Sequence, residues 1–231
     1  MNYEDILKLL EHNKDIKYKI FNDKIINTKM NTIGVRVPVL RKISKKIAKT
    51  DYEAFLNQVK NNYYEEVLLE GMVISNIKDP SIIIQKLDKF LDKIDNWAVC
   101  DMICSSCKTL NKIKDEFMNF IKRNLLSSNP WRVRFSFVCL LNYFVSEEYL
   151  NEIYKLIDND VNHDYYVMMS KAWLICECYV KYPKKTIKYL KRTNIDLVTY
   201  NKAISKIIES NRVLKNDKIE LKKMKKSSKN A

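Results

Sequence analysis

The stretch DNWAVCDMICSSC, residues 95–107, holds side chains of types that can do chemistry. Its cysteines, at positions 100, 104 and 107, have the C-x3-C-x2-C spacing that binds the iron–sulfur cluster of radical enzymes. Trp97 and Asp101 lie four residues apart, which on a helix places an aromatic ring beside a carboxylate. The stretch could therefore be a cluster site, a piece of core, or an acid and an aromatic ring that face a ligand.

A helical wheel separates these possibilities. At about 100° per residue, one apolar arc holds Val99, Cys100, Ile103, Cys104 and Cys107. Trp97, Asp101 and Lys108 share a different stripe, roughly 90° from the centre of that arc. Because free cysteine behaves as a small hydrophobe, the arc predicts core positions for the three cysteines. Core positions are also predicted for Cys176 and Cys178, and no metal site is expected.

The composition favours helices joined by short loops. Two glycines and four prolines in 231 residues are too few for the many turns of a sheet or a barrel. A cluster loop at the mouth of a β/α barrel is excluded for the same reason. Six cysteines without an export signal suggest reduced thiols and a cytoplasmic protein, and no apolar run is long enough to span a membrane.

The charge of the chain points to a polyanionic partner. The net charge is +14, and the last seventeen residues carry seven lysines against one Asp and one Glu. Residues 1–214 therefore still carry +9. Nucleic acid is the first candidate partner and a membrane surface the second. Alternatively, the positive charge reflects a proteome that is basic in general and implies no such partner. The last seventeen residues, 215–231, are predicted to be a disordered basic tail.

The chain contains an internal repeat. Aromatic residues open amphipathic stretches every 34 residues, at Tyr63, Trp97, Trp131 and Tyr165, and a further step falls beside Tyr200. Shorter amphipathic segments lie between these stretches. A period of this length built from two helices predicts an all-α, HEAT-like helical-repeat solenoid with a concave surface, forming a single domain over residues 1–214.

Two further features could bind an anion. Arg134 falls on the apolar side of its helix near Val138, whereas Arg132 falls with Ser136 on the polar side. Asp101, one repeat earlier, is the natural partner of Arg134, either in a functional site or in a structural salt bridge. Trp173 could belong to the same site or to the core.

The segment GVRVPVLR, residues 34–41, precedes a basic amphipathic helix. Pro38 suits the first turn of this helix, and a helix N-terminus followed by Arg41, Lys42 and Lys45 can hold a phosphate. An ordinary loop followed by a solvated basic face explains the pattern equally well.

Five stretches together resemble the DNA alkylation repair family of HEAT-like DNA glycosylases. They are GVRVPVLRK, NWAVCD, WRVRFSFV, YYVMMSKAWLI and NKAISKIIESNRV, between residues 20 and 214. The resemblance implies catalytic roles for Trp97, Asp101, Arg134 and Trp173. Asn96 stands where active members carry a second Trp, but the chain keeps the Trp–Asp pair that inactive members lack.

The resemblance also implies a substrate and a partner. It implies excision of N3- and N7-alkylated purines from double-stranded DNA without a cofactor. We further expect a monomeric cytoplasmic protein that associates with the nucleoid when bound to DNA. Contacts to the DNA backbone are expected from Arg36, Arg41, Lys42, Lys45, Arg132, Lys171, Lys202 and Lys206. An inactive DNA-structure binder and a helical scaffold for a protein partner remain as alternatives.

Overall fold

The computed structural model describes residues 2–227. Within this range the chain forms fourteen α-helices and two short 3₁₀ segments, without a β-strand. The first seven helices are α1 (Tyr3–His12), α2 (Ile16–Ile26), α3 (Val37–Lys49), α4 (Tyr52–Gln58), α5 (Tyr64–Ser75), α6 (Pro80–Phe90) and α7 (Trp97–Ser106). The others are α8 (Lys114–Leu125), α9 (Pro130–Tyr143), α10 (Leu150–Asn159), α11 (Tyr165–Lys181), α12 (Pro183–Leu190), α13 (Leu197–Glu209) and α14 (Lys215–Lys223). The predicted all-α helical-repeat fold is confirmed.

The repeat read from the sequence corresponds to alternating helices. Helices α5, α7, α9, α11 and α13 begin at intervals of 32 to 35 residues, and the helices that follow each of them begin at intervals of 32 to 36 residues. Four of these five start with a side-chain cap, in which Asn96, Asn129, Asp164 or Asp196 accepts a hydrogen bond from a backbone amide of the first turn. Such a cap satisfies amides that have no partner within the helix, so a short polar residue determines where each helix begins.

The predicted disordered tail is wrong for its first half. Lys215–Lys223 form α14, which begins 32 residues after α12 and packs against α13. Leu221 is buried and anchors the helix, although the surrounding lysines are exposed. The helix is therefore the second member of the last repeat. Residues 228–231 of the predicted tail lie outside the described range.

The chain divides into two compact units, one ending at Met118 and the other beginning at Asn119. In the first unit α5 packs against α3, α6 and α7, and all twelve of its residues are buried. Gly71 lets α7 approach, because a Cβ at this position would lie 2.3 Å from Ile103 Cδ1. In the second unit α11 packs against α9 and α13. The single domain over residues 1–214 stays a prediction.

Burial of the cysteines confirms the core prediction. Cys100, Cys104 and Cys107 are fully buried, and all six cysteines are free thiols. Burial raises the pKa of the Cys107 thiol to about 12, so this thiol stays protonated at neutral pH. The three side chains of the opening stretch therefore fill the interior on one face of α7.

A substitution at Cys104 tests this packing role. Cys104→Ala should lower the free energy of unfolding by about 1 kcal/mol, because the smaller side chain leaves a cavity among buried neighbours. Urea denaturation followed by circular dichroism measures the change, with the exposed Asn111→Ala as control. Stoichiometric iron in the wild-type protein, or an unchanged urea midpoint for Cys104→Ala, would contradict the assignment.

Candidate functional site

The exposed stripe of α7 carries the Trp–Asp pair. Trp97 and Asp101 are both partly exposed, whereas the opposite face of the helix is buried. The indole Nε1 of Trp97 donates a hydrogen bond to the backbone oxygen of Ile25, 3.0 Å away at the end of α2. This bond fixes the orientation of the ring, so that the indole and the carboxylate one turn later lie at the same surface.

Asn96 holds the start of α7 in place. It is almost fully buried, its Oδ1 accepts from the Val99 amide at 3.0 Å, and its Nδ2 donates to Asp95 Oδ1 at 2.7 Å. Asp95 in turn accepts from Thr28 Oγ1 at 2.8 Å and from the Lys29 amide at 3.0 Å. Asn96 is therefore a capping residue, and through Asp95 it connects α7 to the segment after α2. This role was not predicted from the sequence.

Arg134 and Trp173 lie together in the second unit. Arg134 is 1% exposed, and its Cζ lies 5.1 Å from the centroid of the Trp173 ring. Its Nη1 donates to the backbone oxygen of Tyr166 at 2.7 Å. The buried guanidinium thus holds both the indole of α11 and the first turn of the same helix, and Trp173 remains partly exposed.

Two further aromatic residues accompany Arg134. The rings of Trp131 and Tyr166 lie 4.8 Å apart with an angle of 36° between their planes, and Tyr166 is also 5.9 Å from Arg134 Cζ. A signal for this cluster is present in the sequence, since Trp131 and the Tyr165–Tyr166 pair mark the starts of successive repeats. Tyr166 itself was not among the predicted site residues.

The basic helix α3 is exposed as predicted. Arg41, Lys42 and Lys45 all point to solvent, and Pro38 lies in the first turn of the helix. Arg36, the residue before the helix, forms an ion pair with Asp15 at 2.9 Å. The pKa of Asp15 is lowered by a hydrogen bond from the Tyr18 amide and, next, by Arg36. These three cations on α3 are thus exposed, and Arg36 is exposed as well but paired with Asp15.

The segment before α3 is held by a buried carboxylate that was not predicted from the sequence. Glu65 of α5 is fully buried and accepts from the amides of Ile33, Gly34 and Val35 at 2.8, 2.7 and 3.2 Å. Gly34 has a φ of 97°, and a Cβ there would lie 2.7 Å from Lys19 Cβ. The glycine and the buried glutamate together fix the direction in which α3 leaves the segment.

One predicted DNA contact, Lys171, is buried, and a second, Arg132, stays a prediction. Lys171 is 2% exposed and forms a buried ion pair with Asp160 at 2.8 Å, so its ammonium group is not available to a phosphate. Arg132 is half-buried and donates to Asn124 Oδ1 at 2.7 Å, and Ser136 is buried with its Oγ donating to the Ile121 oxygen. The polar face assigned to α9 does not exist, because the eight residues from Val133 to Leu140 are all buried.

The last two predicted contacts lie on α13. Lys206 forms an ion pair with Glu209 at 2.7 Å, one turn later on the same helix, and Lys202 is partly exposed. An exposed pair of this kind contributes little to stability and is readily exchanged for another anion. Both positions remain candidate contacts.

The described residues contain neither a metal-binding cluster nor a membrane-spanning helix. Between residues 2 and 227, no cluster of three or more His, Cys, Asp or Glu side chains is arranged to hold a metal ion. In the same range no helix combines the length and the apolar character needed to cross a membrane.

Comparison with known proteins identifies the family of the chain. Residues 6–207 match the model of the family described as DNA alkylation repair enzyme. No curated protein matches the chain significantly. The family match covers α2 through most of α13, including the Trp97–Asp101 stripe and the Arg134–Trp173 pair. Since the match extends over far more than half of its length, the chain belongs to the DNA alkylation repair enzyme family.

Proposed function

We propose that the protein is a DNA glycosylase that hydrolyses the N-glycosidic bond of N3- and N7-alkylated purines in duplex DNA. The observation that carries this proposal is the Trp97–Asp101 pair on the exposed stripe of α7, with the indole fixed by the backbone oxygen of Ile25. Membership in a DNA alkylation repair family supports DNA as the substrate. We place this activity in the cytoplasm, on chromosomal DNA.

Hydrolysis of this N-glycosidic bond requires an ionised carboxylate rather than a general acid. A purine alkylated at N3 or N7 is already cationic, so it leaves without being protonated. Positive charge then develops on the deoxyribose, in a transition state like that of other glycosyl transfers. Asp101 would stabilise this charge and orient the attacking water.

The aromatic residues suit a cationic substrate. Indole faces attract cations electrostatically, and Trp97 and Trp173 are both partly exposed. Trp173 already has the Arg134 guanidinium 5.1 Å from its centroid, so Arg134 acts as a positioning residue for this ring. In this proposal Asp101 is the catalytic residue, and the neighbouring Trp97 ring contacts the lesion and its sugar.

Release of the free base is the direct test. Duplex DNA with a single 7-methylguanine is incubated with the protein, and free 7-methylguanine and abasic strand are quantified, with an undamaged duplex as control. The proposal expects both products from the alkylated duplex only. Tight binding of the duplex without either product would instead identify an inactive DNA-structure binder.

Affinity for undamaged duplex should fall steeply as salt increases. Each phosphate neutralised by Lys or Arg releases counterions, and the slope of log K against log salt is about −0.9 per contact. Arg41→Ala should reduce this slope by about one, whereas Lys89→Ala, an exposed cation of α6, should not. Fluorescence anisotropy over a salt series measures both slopes, and a flat response of the wild-type protein would refute binding to the DNA backbone.

A further inference from the structure

The exposed stripe of α7 continues beyond Asp101 into a basic groove. Trp97, Asp101 and Ser105 follow one another at intervals of four residues, and Lys108 comes three residues later, just after the helix. With a rise of 1.5 Å per residue, Ser105 lies about 6 Å beyond Asp101 along the helix axis. The stripe therefore connects the proposed catalytic carboxylate to the groove within one helical turn.

The groove has a volume of about 340 Å³ and is lined by α3, α5 and α7. Arg41 and Lys45 contribute two cations from α3, and Lys108 contributes a third from the end of α7. None of its lining residues is acidic. Within residues 2–227 none of these three cations forms an ion pair, in contrast to Lys171, which is neutralised by a carboxylate. Three cations without an ion pair along one groove favour an anionic ligand.

The floor of the groove is polar and held in shape. Asn76 Nδ2 donates to Ser44 Oγ at 3.3 Å and to the Met72 oxygen at 2.7 Å, which joins α3 to the end of α5. Ser105 Oγ donates to the Met102 oxygen at 2.8 Å and is exposed, so its hydroxyl can rotate towards a ligand. The groove therefore offers hydroxyl and amide groups beside the cations.

A second groove continues the positive surface. It has a volume of about 740 Å³, shares Lys45 and Asn76 with the first, and adds Lys49 and Lys78. Its one acidic residue, Asp79, caps α6 by accepting from the amides of Ser81 and Ile82. A chain of phosphates could thus follow the cations from Lys108 along α3.

We propose that the groove between α3, α5 and α7 binds a phosphodiester of DNA close to the nucleotide that faces Trp97 and Asp101. This inference rests on the proposed function, because it takes DNA as the ligand. Lys108 and Ser105 hold the phosphate, while Arg41 and Lys45 complete the site from α3. Lys108 is then a positioning residue, which sets the distance between the damaged nucleotide and the Asp101 carboxylate.

The helix dipoles of α5 and α7 oppose the binding of an anion in this groove. The groove lies at the C-terminal ends of α5 and α7, where each dipole places roughly half a negative charge. Three positive charges outweigh these two partial charges. A purely structural alternative follows from the same fact, since Lys108 could serve only to stabilise the C-terminus of α7.

Lys108→Gln tests the phosphate site. The variant should reduce the salt slope for undamaged duplex by about one, and lower single-turnover excision at saturating DNA about tenfold through misplacement of the substrate. Lys108→Arg should restore both, and Lys89→Gln should change neither. Duplexes with one uncharged methylphosphonate, moved along the strand around the lesion, should contain one position where wild-type and Lys108→Gln bind equally.

The remaining outcomes separate this inference from its rivals. If the wild-type protein releases no base, the glycosylase proposal fails, whereas the salt slopes and the methylphosphonate series still decide the phosphate site. An unchanged slope with a lower urea midpoint would assign Lys108 to the helix C-terminus and overturn the inference. Binding of inorganic phosphate that depends on Lys108, together with an unchanged slope for DNA, would assign the groove to free phosphate and also overturn it.

Discussion

Asp101→Asn should keep the fold and the affinity for duplex DNA while excision of 7-methylguanine falls by about 10²–10³-fold. The amide has almost the same shape as the carboxylate but carries no charge, so it cannot stabilise the positive charge that develops on the sugar. Because Asp101 is partly exposed and lies on a different stripe of α7 from the buried cysteines, its replacement leaves the core intact.

Single-turnover kinetics at saturating DNA measure this effect without interference from binding or product release. Asp115→Asn is the matched control, since it removes the same charge from an exposed position at the start of α8. Activity within a few-fold of wild type would exclude Asp101 from the mechanism. Loss of folded protein in the Asp101 variant would show instead that the carboxylate has a structural role.

Glu65→Ala should destabilise the first unit by about 3 kcal/mol or more. The fully buried carboxylate accepts three backbone hydrogen bonds from residues 33–35, and its removal leaves these amides without their acceptor in the interior. The segment that leads into α3 should then lose its fixed conformation, which would also displace Arg41 and Lys45.

Urea denaturation measures the loss of stability. Hydrogen exchange adds a local measurement, in which the amides of Ile33, Gly34 and Val35 should exchange faster in the variant than in the wild-type protein. Glu53→Ala, at an exposed position of α4, should change neither. A Glu65 variant with wild-type stability and unchanged exchange at these three amides would show that the segment is held by other contacts.

Local patterns in the sequence were sufficient to predict the helices and their repeat. Apolar spacing and short polar caps act within a few residues, so they determine where a helix lies and which face it buries whatever its neighbours are. For this reason the arc of Cys100, Cys104 and Cys107 and the separate stripe of Trp97 and Asp101 could both be predicted and are found on α7 and its C-cap.

The same local patterns failed where a side chain depends on a distant partner. Nothing in the local pattern around the adjacent glutamates of α5 indicates that Glu65 is buried, because the amides that pack onto it belong to residues 33–35. Likewise, α14 looked too rich in lysine to fold alone, but its buried Leu221 finds a partner surface in the preceding helix.

The sequence by itself determined the helix type, the period of the repeat and the two faces of α7. Only the tertiary structure decided which cations are available to a ligand. Lys171 and Lys108 are both lysines on or beside a helix of the repeat, but Lys171 is enclosed with Asp160, whereas Lys108 opens into a groove formed by three helices. Burial and charge neutralisation arise from residues far apart in the sequence, so the pattern around either lysine carries no record of them.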